Sequence, residues 1–306
     1  MLLTSDLYLS NYGYFNTTSW ESFKKEHDFV SDIKRSKDTG RYVVTPVTHQ
    51  QFKLFPEDKL IMDSSFAALY GVYTVGGSEV LRIANYDIIL NMLSNTKSLE
   101  EAKRFFDIMG VRYIIANYDI AEKGFKFLKS VKVDASTVYL HEYETNAGRF
   151  MIFNKASYVK DDKAVIEKLL DKQIDLRKEL ILLEDEKDGN EVRDDKNNMP
   201  GDYAKRNALV YKTRLVSYKA NKVVLECETN RDAFFYMSDA YYPGWKAYID
   251  GKEVRIYRAN LAFRAIKIPK GIHQVLFRYI PFSFYFGLFL TIIGVILSAC
   301  LIRKQL

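Results

Sequence analysis

The sequence predicts an α+β fold: an α/β layer domain, then an antiparallel β-sandwich, then one C-terminal transmembrane helix. Three observations carry this expectation. Between residues 20 and 183, strand-like and helix-like runs alternate, as a layered α/β domain requires. Between residues 203 and 280, short alternating runs are broken by turn residues every eight to twelve positions or so, the rhythm of an antiparallel sandwich. From residue 281 the chain enters an uncharged apolar run long enough to cross a bilayer.

Within the first region, RYVVTPV (residues 41–47) is a short β-branched strand. NYDIILNMLS and SLEEAKRFFDIMG place apolar residues three and four apart, the spacing of amphipathic helices. Ser98 followed by Glu101 forms a capping-box pattern at the start of the second helix, and Gly110 stands where that helix should stop. VRYIIAN then reads as a buried strand, with further strands at KVDASTVYLHEYE and RFMIFNKASYV. DDKAVIEKLLD is a short helix with an acidic cap.

EDEKDGNEVRDDKNNMPGD has almost nothing apolar, so residues 184–202 read as a polar linker or long loop. Its acids lie among lysines without the order of a calcium loop. Beyond it, KVVLECET, AFFYMSDA, WKAYID, EVRIYRA, FRAIKIP and HQVLFRYI supply the sandwich strands. Asp250-Gly251 suits a two-residue hairpin turn. In the last strand Val275, Phe277 and Tyr279 fall on one face, predicted to point inward.

Phe282–Ile302 is free of charge for 21 residues, about 31 Å of helix against a hydrocarbon core of roughly 30 Å. Tyr279, Phe282, Phe284 and Tyr285 crowd its start, and Arg303 and Lys304 follow its end. Aromatic belts and the positive-inside tendency then place the C-terminal tail 303–306 in the cytoplasm and the bulk of the chain outside, on a bacterial cytoplasmic membrane. The segment 1–19 has neither a basic n-region nor an apolar h-region, so it does not read as a signal peptide. Two routes remain: a tail anchor with a cytoplasmic body, or the C-terminal piece of a longer polytopic protein. The second is the expectation adopted, with 1–19 following a preceding transmembrane core.

Composition narrows function. A hydrophobic share of 48% supports a real core, and the net charge of +6 is spread among acids rather than gathered into a basic face, which argues against nucleic acid. Cys227 and Cys300 are too differently placed for a disulfide framework, and His27, His49, His141 and His273 show no ligand spacing; no metal and no cofactor are expected. Walker A, dinucleotide-binding, nucleophile-elbow and zinc-protease patterns are absent from the sequence, and no catalytic residue is assigned. Binding is the better option. Tyr241, Tyr242 and Trp245 offer flat amphipathic faces near Asp239, Lys246 and Arg258, the equipment for stacking a sugar ring and hydrogen-bonding its hydroxyls. Against this, Trp245 shares a period-two face with Ala247 and Ile249 and could instead plug the sandwich core. Tyr70, Tyr73 and Arg82, in LYGVYTVGGSEVLRIANY, form a second polar-aromatic patch.

LYGVYTVGGSEVLRIANYDIILNML, FFDIMGVRYIIAN and above all SDAYYPGWKAYIDGKEVRIYRANLAFRAIKIPKGIHQVLFRY with the final helix resemble the YfhO family of bacterial membrane proteins, itself similar to the GT-C group of polytopic glycosyltransferases. The resemblance implies transfer of a sugar from a polyprenyl-phosphate carrier to a cell-envelope polymer. It also implies an acidic catalytic residue in a loop of a multi-helix core, for which this sequence has no counterpart. The chain is therefore expected to be the extracytoplasmic C-terminal module of such an enzyme, non-catalytic by itself, which positions the acceptor or caps the core. Expected partners are the lipid bilayer, the polytopic core of the same protein, and a cell-envelope glycan or polyprenyl-linked sugar. The alternative is a membrane-anchored structural or glycan-binding protein with no transferase role.

Overall fold

A computed structural model describes residues 28–35, 39–46, 48, 67–68, 70–76, 83–133, 136–184 and 209–305, with side chains to residue 298. The N-terminal segment 1–19, nearly all of the polar stretch 184–202, and Arg82 lie outside these residues.

Five strands, β1 (Arg41–Val44), β2 (Tyr73–Thr74), β3 (Val111–Ala116), β4 (Phe125–Val133) and β5 (Ser136–Tyr143), form a mixed sheet in the order β2-β1-β3-β5-β4. The first three are parallel and the hairpin β4–β5 runs antiparallel. Side chains of a strand alternate between faces, and here both faces are covered. Tyr42, Tyr113 and Ile115 meet Phe29, Val30 and Ile33 of helix α1 (Asp28–Arg35). Val43, Val111 and Ile114 meet the opposite core, built with α2 (Ala84–Ser94) and α3 (Leu99–Met109). The start of α3 keeps the Ser98 cap expected and departs from a full capping box in its return bond: Ser98 Oγ accepts from the Glu101 amide at 3.2 Å, while the Glu101 carboxylate accepts from the amide of Lys97, one residue before the cap, at 3.0 Å.

The strand RFMIF of the first region has a different fate. As β6 (Phe150–Phe153) it pairs with β11 (Ala233–Ala240), in a sheet ordered β14-β15-β11-β6. Two parallel strands, β7 (Ala156–Val159) and β8 (Leu180–Leu183), are joined through α4 (Asp162–Leu170). Asp161 caps that helix, its carboxylate accepting from the Ala164 amide at 2.8 Å. The remaining strands are β9 (Tyr211–Lys219), β10 (Lys222–Thr229), β12 (Trp245–Ile249), β13 (Lys252–Val254), β14 (Tyr257–Ala259), β15 (Phe263–Ile268) and β16 (Gly271–Tyr279). They complete that sheet and a second antiparallel one, β13-β12-β16-β10-β9.

β11 explains how the layers join. Phe235 and Met237 face the sandwich core shared with Val275 and Phe277, whereas Phe234 and Tyr236 face the core built with α3 and β3. A strand buried on both faces is apolar almost throughout rather than alternating, as AFFYMSDA is. Its sheet is thus the middle layer of the molecule. The Asp250-Gly251 turn has φ values of 50° and 83°, and Ile249 pairs with Lys252 across it, the positive-φ hairpin that the dipeptide predicts.

After Pro281 the chain enters α5 (Phe282–Gln305), a helix of 24 residues. Its large apolar side chains from Phe282 to Leu297 are 37% to 79% exposed, an apolar surface left uncovered along the helix. Among the described residues no helix is long and apolar enough to cross a membrane; side chains are described over 282–298, roughly 25 Å of helix.

Candidate functional site: an arginine-ringed aspartate beneath an aromatic cleft

The site begins with a break in a ladder. The register of β11 against β15 shifts between Met237 and Ala240, and such a bulge re-aims side chains at a strand end. Ser238 donates its amide to Arg149 O instead, at 3.0 Å, and the Asp239 carboxylate turns into the interior, 6% exposed.

Three guanidinium groups from three elements converge on it. Arg41 opens β1, and its Nη2 donates to Asp239 Oδ1 at 2.7 Å. Its Nη1 donates to the carbonyls of Met109 and Ser238, both at 2.7 Å. Arg149, just before β6, donates from Nη2 to Asp239 Oδ1 and to Tyr218 Oη. Tyr218 in turn donates to Asp239 Oδ2 at 2.8 Å. Arg264 of β15 comes last, its Nη2 only 3.4 Å from Oδ2 and its Nε donating to Asp239 O at 3.4 Å. The three arginine side chains are 9%, 2% and 4% exposed. Burial alone would raise the pKa of Asp239, but Arg149, Arg41 and Arg264 outweigh it and hold the carboxyl well below the usual range. Burial disfavours the charge of Arg149, which Asp239 and Tyr218 more than restore, whereas Arg264 is left with its pKa lowered to about 10. Three guanidinium groups thus surround one carboxylate.

Aromatic rings cover the excess cations. Arg149 lies 4.4 Å from the Tyr218 ring centre and 4.8 Å from that of Tyr73, and Arg264 lies 4.0 Å from Trp245, all within cation–π range. Above Arg264 opens a cleft of about 370 Å³ bounded by Asp239, Arg264, Lys219, Tyr242, Trp245 and Tyr279. Its aromatic wall is continuous: Tyr279 is 5.4 Å from Trp245 and 6.5 Å from Tyr242, centre to centre.

YYPGW makes the rim. Trp245 donates its amide to Tyr242 O at 3.4 Å, with Pro243 and Gly244 as the central pair and Gly244 at φ 99°, the residues and sign of a type II turn. Gly244 also touches the root of α5: its carbonyl accepts from the Ile280 amide at 2.6 Å, and an added Cβ would meet Tyr279 at 3.0 Å and the Pro281 backbone at 3.2 Å. Only glycine satisfies both the angle and the approach. Gly110 plays the same part behind the cluster. It ends α3 at φ 66°, and a Cβ there would lie 2.8 Å from both Arg149 Cγ and Ser238 Oγ. Gly110→Ala is expected to destabilise the protein by about 2–4 kcal/mol, from the left-handed backbone and overpacking together, read as a lower melting temperature than that of Gly148→Ala. Gly148 shares the positive φ but has open space around it, so the difference isolates the contact.

The predicted contact residues are thus distributed. Tyr242 is 49% exposed on the rim, and Trp245 is half-buried, one face on Arg264. Tyr241 lies beside the cleft wall, its amide donating to Ala262 O at 2.7 Å. Arg258 is directed elsewhere, in a two-pronged ion pair with Asp162 at 2.6 and 3.1 Å. Tyr70 is 4% exposed in the core with Phe29 and Val72, which leaves its ring no face for a ligand. Tyr73 instead joins the arginine cluster, 5.3 Å from Tyr218. No local pattern in the sequence announces the arginine ring itself. Its one sequence signal is Asp239, a carboxylate in a strand apolar on both faces, which demands cationic partners without saying where they lie.

Residues 201–291, which contain the cleft rim, match the family described as bacterial membrane protein YfhO. A Bacillus subtilis (strain 168) protein described as uncharacterized protein YfhO is 23% identical over 90 residues, 29% of this chain. The match spans a tenth of that relative's length. No solved structure matches the chain.

Proposed function

From the premise that this chain is a YfhO-family protein through residues 201–291, a family described as bacterial membrane proteins, we propose that it is the membrane-surface module of a glycosyltransferase-related protein. In this proposal α5 lies in lipid with Arg303 and Lys304 on the cytoplasmic side, and the layered body stands outside the cytoplasm. The cleft holds a saccharide of the acceptor polymer, and the chemistry of transfer belongs to a polytopic core.

One observation carries the reading: an open aromatic cleft with a hydrogen-bonding floor sits at the root of a helix whose large apolar side chains stay exposed. Leaving a dozen such side chains in water costs on the order of 20 kcal/mol, and lipid removes that cost. The cleft wall residue Tyr279 lies two positions before Pro281, so substrate bound there sits at the lipid surface. Tyr242, exposed on the rim, is the ring free to stack on a sugar face.

The test is titration of the full chain in nanodiscs with neutral cell-envelope oligosaccharides. Saturable binding weakened about tenfold by Tyr242→Ala, the loss usual for a binding hot spot, with an unchanged melting temperature, is the expected result. No saturable binding, or equal binding by the variant, would favour a purely structural membrane-anchored body.

A further inference from the structure

The charge count at the floor of the cleft does not close. Arg41, Arg149 and Arg264 bring three positive charges to a single buried carboxylate. The oxygens of Asp239 are taken at short range by Arg41, Arg149 and Tyr218. Arg264 gets the remainder, two contacts at 3.4 Å, and its Nη1 is buried with no hydrogen-bond partner among the described residues. A buried guanidinium donor without an acceptor is costly, so this one asks for an acceptor that the described residues do not supply. Arg264 is also the arginine that borders the cleft. The other charged group on the cleft wall is Lys219, exposed at the end of β9. Among the described residues the cleft therefore offers two cations and one carboxylate already held by three donors.

We infer that the cleft binds a phosphate ester, its anionic oxygens received by Arg264 and Lys219 and its organic part lying against Tyr242, Trp245 and Tyr279. A planar guanidinium with an unpaired Nη1, on the same cleft as an ammonium, suits phosphate oxygens, and the Trp245 ring over Arg264 excludes water that would otherwise screen it. Entry of the anion requires Trp245 to slide along the guanidinium it covers, a movement open to a half-buried side chain on the rim. The burial-lowered pKa of Arg264 is consistent with a cation short of counter-charge. Because Gly244 and Ile280 tie the rim to the start of α5, the phosphate would sit at headgroup depth. A phospholipid headgroup and a soluble phosphate ester are the two possible bearers of this one chemistry. This assignment rests on the reading of the cleft as a ligand site.

The chain has two tryptophans, Trp20 and Trp245, so in a Trp20→Phe background the emission of Trp245 reports on Arg264 directly. The full chain is placed in micelles of a phosphate-free polyoxyethylene detergent and titrated at constant ionic strength with inorganic phosphate and with glycerol phosphate. In a parallel arm the same micelles are titrated with phosphatidylglycerol. A saturable change in either arm is expected. The arm that responds names the bearer, and Lys219→Glu should weaken the response about tenfold. Arg264→Met should abolish it, with circular dichroism and melting recorded to check the fold. Should that variant not fold, Lys219→Glu, at an exposed position, still decides. Silence in both arms, or a response that Lys219→Glu leaves undiminished, would overturn the phosphate assignment. A response to neutral oligosaccharide without one to phosphate would overturn it alone and leave the saccharide reading standing.

Discussion

Asp239→Asn is expected to lower stability by about 3–5 kcal/mol, because it leaves three buried arginines without a counter-charge. Arg41, Arg149 and Arg264 are each less than a tenth exposed, so water cannot replace the lost carboxylate. For a protein of this size that corresponds to a fall in melting temperature of about 10 °C, measured on the full chain in detergent or nanodiscs. The same residue sets an acid limit. Its folded pKa is depressed, so its contribution is fully present above the unfolded value, about 3.9. The contribution is lost as pH falls from there toward the folded value. Wild-type stability should therefore decline below about pH 4, and Asp239→Asn should show a flatter dependence in that window. An Asn variant as stable as wild type, or with the same acid slope, would mean that the cluster is not the electrostatic centre described.

The second large effect concerns α5. On insertion scales each Leu, Ile, Phe or Val contributes about −0.3 to −0.6 kcal/mol and a central Arg about +2.5 to +3.5. The apolar residues from Phe282 to Leu297 then sum to about −3 to −7 kcal/mol. One arginine is within that margin, whereas two exceed or cancel it. Leu290→Arg alone should leave most of the chain in the floating fraction of a liposome flotation assay, and Leu290→Arg with Ile293→Arg should shift most of it to the aqueous fraction. The paired substitutions lie one turn apart on exposed side chains of α5, so the fold before Pro281 should melt unchanged. If the double variant floated like wild type, the helix would not be what holds the protein to lipid.

Features set by neighbouring residues were legible in the sequence. The Ser98–Glu101 cap, the stop at Gly110, the Asp250-Gly251 turn and the inward faces of Val275 and Phe277 each depend on a few adjacent positions, and each is found. The pairing of β6 with β11 was not legible, because RFMIF reads as a strand equally well in either layer. Nor was the arginine ring. Arg41 and Asp239 are 198 positions apart and Arg149 and Asp239 are 90 apart, and no local period reports such a meeting. For the same reason the nearness of Arg258 to YYPGW in sequence misleads: its guanidinium serves α4 through Asp162. The rim itself was partly legible: Pro243-Gly244 announced a turn, and period two placed Trp245 toward the core. What the sequence concealed is that the core-facing ring lies on a buried guanidinium and so is both wall and lid.

The central claim is that the aromatic cleft stands at the lipid surface at the root of α5, and depth-dependent quenching of Trp245 tests it most directly. In Trp20→Phe protein, nanodiscs carrying nitroxide at the headgroup should quench Trp245 emission strongly, and discs carrying it near the bilayer centre should do so weakly. Equal and negligible quenching by both labels would place the cleft away from the membrane and contradict the account.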